Sequence, residues 1–148
     1  MARYQTTVRT DRPAAEVFDY MADLRNFEQW DPGVQRVEQV TGDGGGANAE
    51  FDVTVDAPGS GLTLRYVTTE FDAPRSAVVR AESRMFTSLD RITVEPDGDG
   101  SVVTYDAELT LNGPLGLFDL ALRPVFDRIG GRADEGLQRA LDGEKIDA

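Results

Sequence analysis

The spacing of apolar residues changes within residues 101–141, which read SVVTYDAELTLNGPLGLFDLALRPVFDRIGGRADEGLQRAL. Before Leu111, apolar and polar residues alternate, as they do in a strand that buries one face. After Asn112-Gly113-Pro114 the spacing becomes three or four residues, which is typical of an amphipathic helix. The stretch therefore predicts a strand followed by a helix of about 27 residues, which Pro124 would kink. The apolar stripe of this helix comprises Leu115, Phe118, Leu122, Phe126, Ile129, Ala133, Leu137 and Leu141.

The alternating pattern continues toward the N-terminus and divides into further strands. Short runs of Gly, Pro and Asp separate them, and short breaks between consecutive strands predict antiparallel neighbours. The sequence Asp11-Arg12-Pro13 has the residue types that begin a helix, and it predicts two short helices between the first and second strands. The predicted strands cover residues 3–10, 34–41, 48–56, 62–72, 76–83, 86–96 and 101–111.

Together these elements predict one α+β domain over residues 1–148, in which a seven-stranded curved antiparallel sheet grips the long C-terminal helix. One face of the sheet is apolar, whereas the other is charged. Small residues lie among the large ones on the apolar face and on the helix, such as Ala77, Ala81 and Ala107 in the strands and Gly130, Gly131 and Gly136 in the helix. Since protein cores are close-packed, small residues on both layers predict a cavity between them.

The composition excludes several classes of chemistry. The chain has no cysteine and no histidine, so it lacks the residues of Ser-His-Asp and Cys-His triads and the preferred ligands of zinc and iron. We therefore expect no metal and no cofactor. Any acid–base chemistry must use carboxylates or tyrosines.

The charge and the hydropathy limit the partners. The net charge of −12 should repel nucleic acid and anionic membranes. No apolar run approaches the roughly 20 residues of a membrane-spanning helix, and the N-terminus has no apolar signal segment. We therefore expect a cytoplasmic monomer or homodimer that neither inserts into a membrane nor binds nucleic acid.

The order of elements resembles the START-related superfamily, also known as SRPBCC or polyketide cyclase/dehydrase-like proteins. Three stretches carry the resemblance: residues 13–34, from Pro13 to Val34; residues 68–74, Thr-Thr-Glu-Phe-Asp-Ala-Pro; and Gly113-Pro114-Leu115. The resemblance covers essentially the whole chain and implies a helix-grip fold with a hydrophobic pocket between the sheet and the last helix. It also implies that arginines orient the substrate in the aromatase/cyclase branch. The corresponding positions here fall near Glu70 and Ser83, and neither is an arginine.

The leading functional hypothesis is the binding of a small hydrophobic molecule that is lipid-, polyketide- or aromatic-acid-like. Its pocket would be mostly apolar with a few polar groups that orient the ligand. The candidate ligand-binding residues are Trp30, Phe51, Val53, Leu64, Tyr66, Thr68, Glu70, Ala81, Ser83, Tyr105, Phe118, Leu122, Phe126 and Ile129.

Glu70 is the least expected of these residues, because the alternation places it on the apolar face. A carboxylate there is costly unless it is paired or protonated, so it is a candidate ligand anchor or acid–base group. The alternative is that it lies in water at the end of its strand.

Two further hypotheses about the function remain open. One is a cofactor-independent cyclase or dehydratase with Glu70, Tyr66 and Tyr105 as candidate catalytic residues, and the other is an interaction module with a filled core.

Overall fold

A computed structural model describes residues 2–56, 61–83, 86–111 and 132–146 of the 148-residue chain. The strands are β1 (Ala2–Thr10), β2 (Val34–Thr41), β3 (Glu50–Val55), β4 (Leu62–Asp72), β5 (Ser76–Glu82), β6 (Phe86–Asp97), β7 (Gly100–Leu111) and β8 (Gly143–Lys145). The helices are α1 (Ala14–Ala22), a 3-10 turn (Leu24–Asn26), α2 (Phe27–Trp30) and α3 (residues 132–141).

All described strands join one antiparallel sheet in the order β2-β3-β4-β5-β6-β7-β1-β8. The seven strands expected from the alternation are present with nearly the expected bounds, which confirms an α+β fold with a large antiparallel sheet. The prediction of seven strands was nevertheless one short. After α3, Asp142 adopts a left-handed conformation (φ 51°), and the chain turns back to pair Gly143–Lys145 with β1. Of the predicted long C-terminal helix, residues 115–131 lie outside the described residues.

The apolar face of the sheet, which we call the concave face, carries the core, and the opposite face is called convex. Residues of all seven long strands, β1 to β7, pack on the concave face against α1, α2 and α3. Because apolar side chains alternate along each strand, one face is buried and the other presents ion pairs such as Arg65–Asp52 at 2.8 Å. Among the described residues, the largest fully buried side chains are Trp30, Phe18, Phe51, Met21, Leu24, Ile92, Leu137 and Leu141.

The C-terminal segment is fixed to the sheet by polar contacts. Asp134 of α3 is buried, and its carboxylate accepts a hydrogen bond from the Thr6 hydroxyl at 2.5 Å. Its other oxygen lies 3.1 Å from the ammonium of Lys145, the single lysine of the chain. The Thr10 hydroxyl donates to the carbonyl of Leu141 at 2.6 Å. These contacts hold α3 and β8 against β1.

Replacing Lys145 with methionine is therefore expected to lower the free energy of unfolding by about 1–2 kcal/mol, because it leaves the buried Asp134 carboxylate without its cation. Lys145→Arg should retain most of the stability. Arg80→Met is the matched control, since Arg80 and Glu82 form an exposed pair worth less than about 1 kcal/mol. Urea denaturation measures all three. Equal losses for Lys145→Met and Arg80→Met would contradict a structural role for the Lys145 pair.

Candidate functional site

Four polar side chains lie together on the concave face. They are Tyr66 on β4, Ser88 and Asp90 on β6, and Tyr105 on β7, and we refer to them as the polar cluster. The hydroxyl groups of Tyr66 and Ser88 are 2.7 Å apart. Between their strands runs β5, where Ala81 pairs with both residues. The methyl group of Ala81 is small enough to let this hydrogen bond cross β5.

Asp90 is the charged member of the polar cluster and is only 5 % exposed. The Tyr105 hydroxyl donates to its Oδ2 at 2.6 Å. Burial raises the pKa of Asp90 to about 7, although the hydrogen bond from Tyr105 opposes the shift. Burial, together with the neighbouring carboxylate, also raises the pKa of Tyr105, so the phenol stays protonated at neutral pH. Near pH 7 this pair can therefore hold or release one proton inside the apolar face.

A second carboxylate, Asp31, lies at the end of α2. It accepts a hydrogen bond from the backbone N–H of Gly33 at 2.9 Å. Burial raises its pKa, and the charge of Asp56 adds to the effect. The charge of Asp31 in turn contributes to the raised pKa values of Asp90 and Tyr105. The polar cluster is therefore in an acidic environment.

An aromatic wall borders the polar cluster. The ring of Trp30 lies 4.7 Å from that of Phe27 and 5.1 Å from that of Tyr105, measured between centroids. The indole Nε1 of Trp30 and the hydroxyl of Thr68 are both buried without a hydrogen-bond partner in the structure. Since buried polar groups are almost always hydrogen-bonded, these two groups need partners that the described residues do not provide.

Most of the predicted site residues in the described part of the chain lie on the concave face. Phe118, Leu122, Phe126 and Ile129 fall outside the described residues. Leu64 is half-buried. The residues that the structure buries are Trp30, Phe51, Val53, Tyr66, Thr68, Ala81 and Tyr105.

The placement of Glu70 on the concave face was wrong. The register between β4 and β5 shifts between Thr68 and Glu70, so the alternation reverses at this point. The Glu70 side chain is 66 % exposed and lies 3.8 Å from Arg91 on the convex face. Glu70 therefore lies on the opposite face of the sheet from Tyr66 and Tyr105, so the three candidate catalytic residues do not form one site.

Two further expectations are corrected. Ser83 is exposed just after β5, where its hydroxyl accepts a hydrogen bond from the backbone N–H of Phe86 at 3.2 Å. Gly136 leaves no space for a ligand, because a Cβ at this position would overlap the carbonyl oxygen of Trp30. The glycine instead lets α3 approach the backbone of α2.

The sequence analysis did not identify Asp90 and Ser88. Both alternate in phase with Ile92 and Val94 of the same strand, which are buried. The sequence therefore did indicate this cluster, through a carboxylate and a hydroxyl at even-numbered residues of β6, the residues whose side chains face the core. Buried polar residues at such positions need partners, and each has a tyrosine partner here.

A separate cleft of about 330 Å³ opens on the surface between α1 and the loop after β2. Its lining includes Asp23 and Arg25, which are paired with each other at 2.7 Å.

In the described ranges no group of three or more potential metal ligands is present. No helix within those ranges is long and apolar enough to cross a membrane.

Comparison with known families gives one match over nearly the whole chain. The family model described as polyketide cyclase / dehydrase and lipid transport matches residues 1–142. No curated protein matches the sequence significantly.

Solved structures show the same fold at low identity. A START superfamily protein from Mycobacterium smegmatis has a TM-score of 0.69 at 16% identity, covering 96% of this chain and 95% of that chain. A protein from Thermus thermophilus has a TM-score of 0.70 at 19% identity, covering 95% of this chain and 94% of that one. The di-domain ARO/CYC StfQ from the steffimycin biosynthetic pathway has a TM-score of 0.68 at 15% identity, covering 95% of this chain and 50% of that one.

Proposed function

The chain belongs to the polyketide cyclase / dehydrase and lipid transport family, and on that premise we propose that it binds a small hydrophobic molecule between the concave face of the sheet and the C-terminal helix. The observation that carries the proposal is a set of three buried groups without a hydrogen-bond partner among the described residues, namely Trp30 Nε1, Thr68 Oγ1 and the Tyr4 hydroxyl. They lie on a face that is otherwise apolar apart from the polar cluster and the threonines of β1. Pockets for small molecules combine apolar walls with a few polar groups that fix orientation.

We expect the neutral fluorophore N-phenyl-1-naphthylamine to bind saturably, with one site per chain. Ala81→Trp should abolish this binding, because the indole would occupy the concave face above β5. The same change also separates Tyr66 from Ser88, which costs about 1 kcal/mol of stability for the lost hydrogen bond. Fluorescence titration and thermal melts measure the two effects.

Arg80→Trp is the control for this experiment, since Arg80 is the neighbouring residue on β5 and points to the exposed convex face. It should bind the dye as the parent does. An interaction module with a filled core would give a different pattern. The parent would then not bind the dye, and Ala81→Trp would lose about 1–3 kcal/mol more from overpacking.

A second candidate function is a cofactor-independent cyclase or dehydratase, and the Asp90–Tyr105 pair favours it. A buried carboxylate whose pKa lies near 7 is suited to accept and return a proton, and the 2.6 Å contact fixes it against a phenol. These two residues would take the acid–base roles that the sequence suggested for Glu70 and a tyrosine. The test is whether the protein speeds the aldol cyclisation of a linear poly-β-ketone and the loss of water from the cyclic β-hydroxy ketone that forms, and whether Asp90→Asn removes that acceleration. Turnover equal to buffer alone would leave binding as the function.

A further inference from the structure

We infer that the ligand of this face is an uncharged molecule whose polar end is a hydroxyl or carbonyl oxygen, and that Asp90 excludes ligands that end in a carboxylate. This inference rests on the proposed function and specifies the chemistry of its ligand. Among the ligand classes considered above, it favours neutral lipids and polyketides over fatty or aromatic acids.

The first step is the acceptor capacity of Asp90. Its Oδ2 accepts the hydrogen bond from Tyr105, and the carboxyl group has a second oxygen, Oδ1, that can accept from a ligand. A ligand hydroxyl can donate to Oδ1 when Asp90 is ionised, and a ligand carbonyl can accept from Asp90 when it is protonated.

The second step is the indole of Trp30, which can only donate. Its ring packs 5.1 Å from Tyr105, whose hydroxyl is bonded to Asp90, so the indole and the carboxylate border the same part of the face. The unpartnered Nε1 requires an acceptor, and a hydroxyl or carbonyl oxygen provides one. One uncharged hydroxyl or carbonyl group of a ligand can therefore form hydrogen bonds with both Trp30 and Asp90.

The third step is charge. The groups that face Asp90 within the described ranges are Tyr105 from β7, Tyr66 from β4 and Asp31 from the end of α2, while Asp106 acts from the opposite face of β7. The charges among them are negative. A ligand carboxylate would add a further negative charge in a region of low dielectric constant, where repulsion is strong. A hydroxyl or carbonyl avoids this cost.

The test compares decan-1-ol with decanoate as competitors of bound N-phenyl-1-naphthylamine at pH 8. Because decan-1-ol is more hydrophobic than decanoate, it should bind more tightly to any apolar pocket. The diagnostic quantity is therefore the change that a mutation causes in the ratio of the two affinities. We expect Asp90→Asn to tighten decanoate binding about tenfold relative to decan-1-ol, corresponding to about 1.4 kcal/mol. Glu70→Gln removes the same charge from the convex face and should leave the ratio unchanged.

A second measurement on the unmodified protein keeps the inference testable if Asp90→Asn fails to fold. Decanesulfonate stays anionic at every pH used, so its binding should tighten between pH 8 and pH 5.5 as Asp90 gains a proton, while decan-1-ol should change little. An unchanged ratio in Asp90→Asn, or decanesulfonate binding that is independent of pH, would overturn the inference and leave the proposed function standing. Failure of the dye to bind at all would instead overturn the proposed function.

Discussion

Replacing Gly136 with alanine is expected to lower the free energy of unfolding by about 3 kcal/mol, the upper part of the range for overpacking. A Cβ at this position would overlap the carbonyl oxygen of Trp30, which belongs to the backbone of α2 and cannot turn aside as a flexible side chain does. Helix α3 must therefore move away from α2. Helix propensity alone gives the opposite sign, since alanine in a helix interior is favoured over glycine by about 1 kcal/mol.

Urea denaturation of Gly136→Ala and Gly46→Ala separates the two effects. Gly46 undergoes the same chemical change, but a Cβ there would meet no atom within 4 Å, so its stability should change by less than about 0.5 kcal/mol. The dye should also bind less tightly to Gly136→Ala, because the aromatic wall around Trp30 would shift with α3. A Gly136→Ala variant that is as stable as the parent would show that the two helices are not in close contact.

The periodicity of the sequence predicted the sheet because each of its main strands is long enough to repeat the pattern several times. Strand β5, for example, was expected at 76–83 and is found at Ser76–Glu82. Its neighbours are bounded by Gly- or Pro-containing turns such as Ala73-Pro74-Arg75, which mark the ends independently of the pattern.

The features that were missed depend on tertiary structure. Strand β8 has three residues, Gly143–Lys145, and its pairing with β1 follows from where α3 ends rather than from its own composition. The bulge beside Glu70 inserts one residue, and nothing in a pattern of period two reports such an insertion. Gly136 shows a related ambiguity, since a small residue can either leave space or allow two backbones to touch.

Asp90 shows the limit of reasoning from hydropathy. Its strand position indicated the buried face, whereas its charge indicated solvent, and for isolated charges the second indication is usually correct. The structure resolves the conflict with a partner that is distant in sequence. Tyr105, on the next strand, provides the hydrogen bond that makes burial of Asp90 tolerable. Thus the sheet could be predicted from local patterns, while the polar cluster required knowledge of the register between β6 and β7, which sets Tyr105 beside Asp90.

The contribution of Asp90 to the stability of the protein is expected to decrease as the pH rises from 4 to 7. Its pKa in the folded protein is raised from an ordinary 3.8 to about 7. Below pH 4 both the folded and unfolded states carry the proton. Between pH 4 and 7 the folded state keeps a proton that the unfolded state releases, so the free energy of unfolding decreases with pH. The total decrease is up to about 4 kcal/mol for a shift of roughly three units, and no further loss from this group follows above pH 7.

Asp90→Asn isolates this contribution, because an amide has no proton to lose and its oxygen can still accept from Tyr105. Other carboxylates also titrate in this range, so the diagnostic quantity is the difference between the parent and the variant, measured by urea denaturation at pH 4, 6 and 8. We expect similar stabilities at pH 4 and a variant more stable than the parent by a few kcal/mol at pH 8. Glu70→Gln, which removes an exposed carboxylate from the convex face, should give a nearly constant difference across the same range. If the curves of Asp90→Asn and the parent run parallel from pH 4 to 8, Asp90 does not titrate near pH 7. A carboxylate that stays ionised throughout this range would need a compensating partner on the concave face.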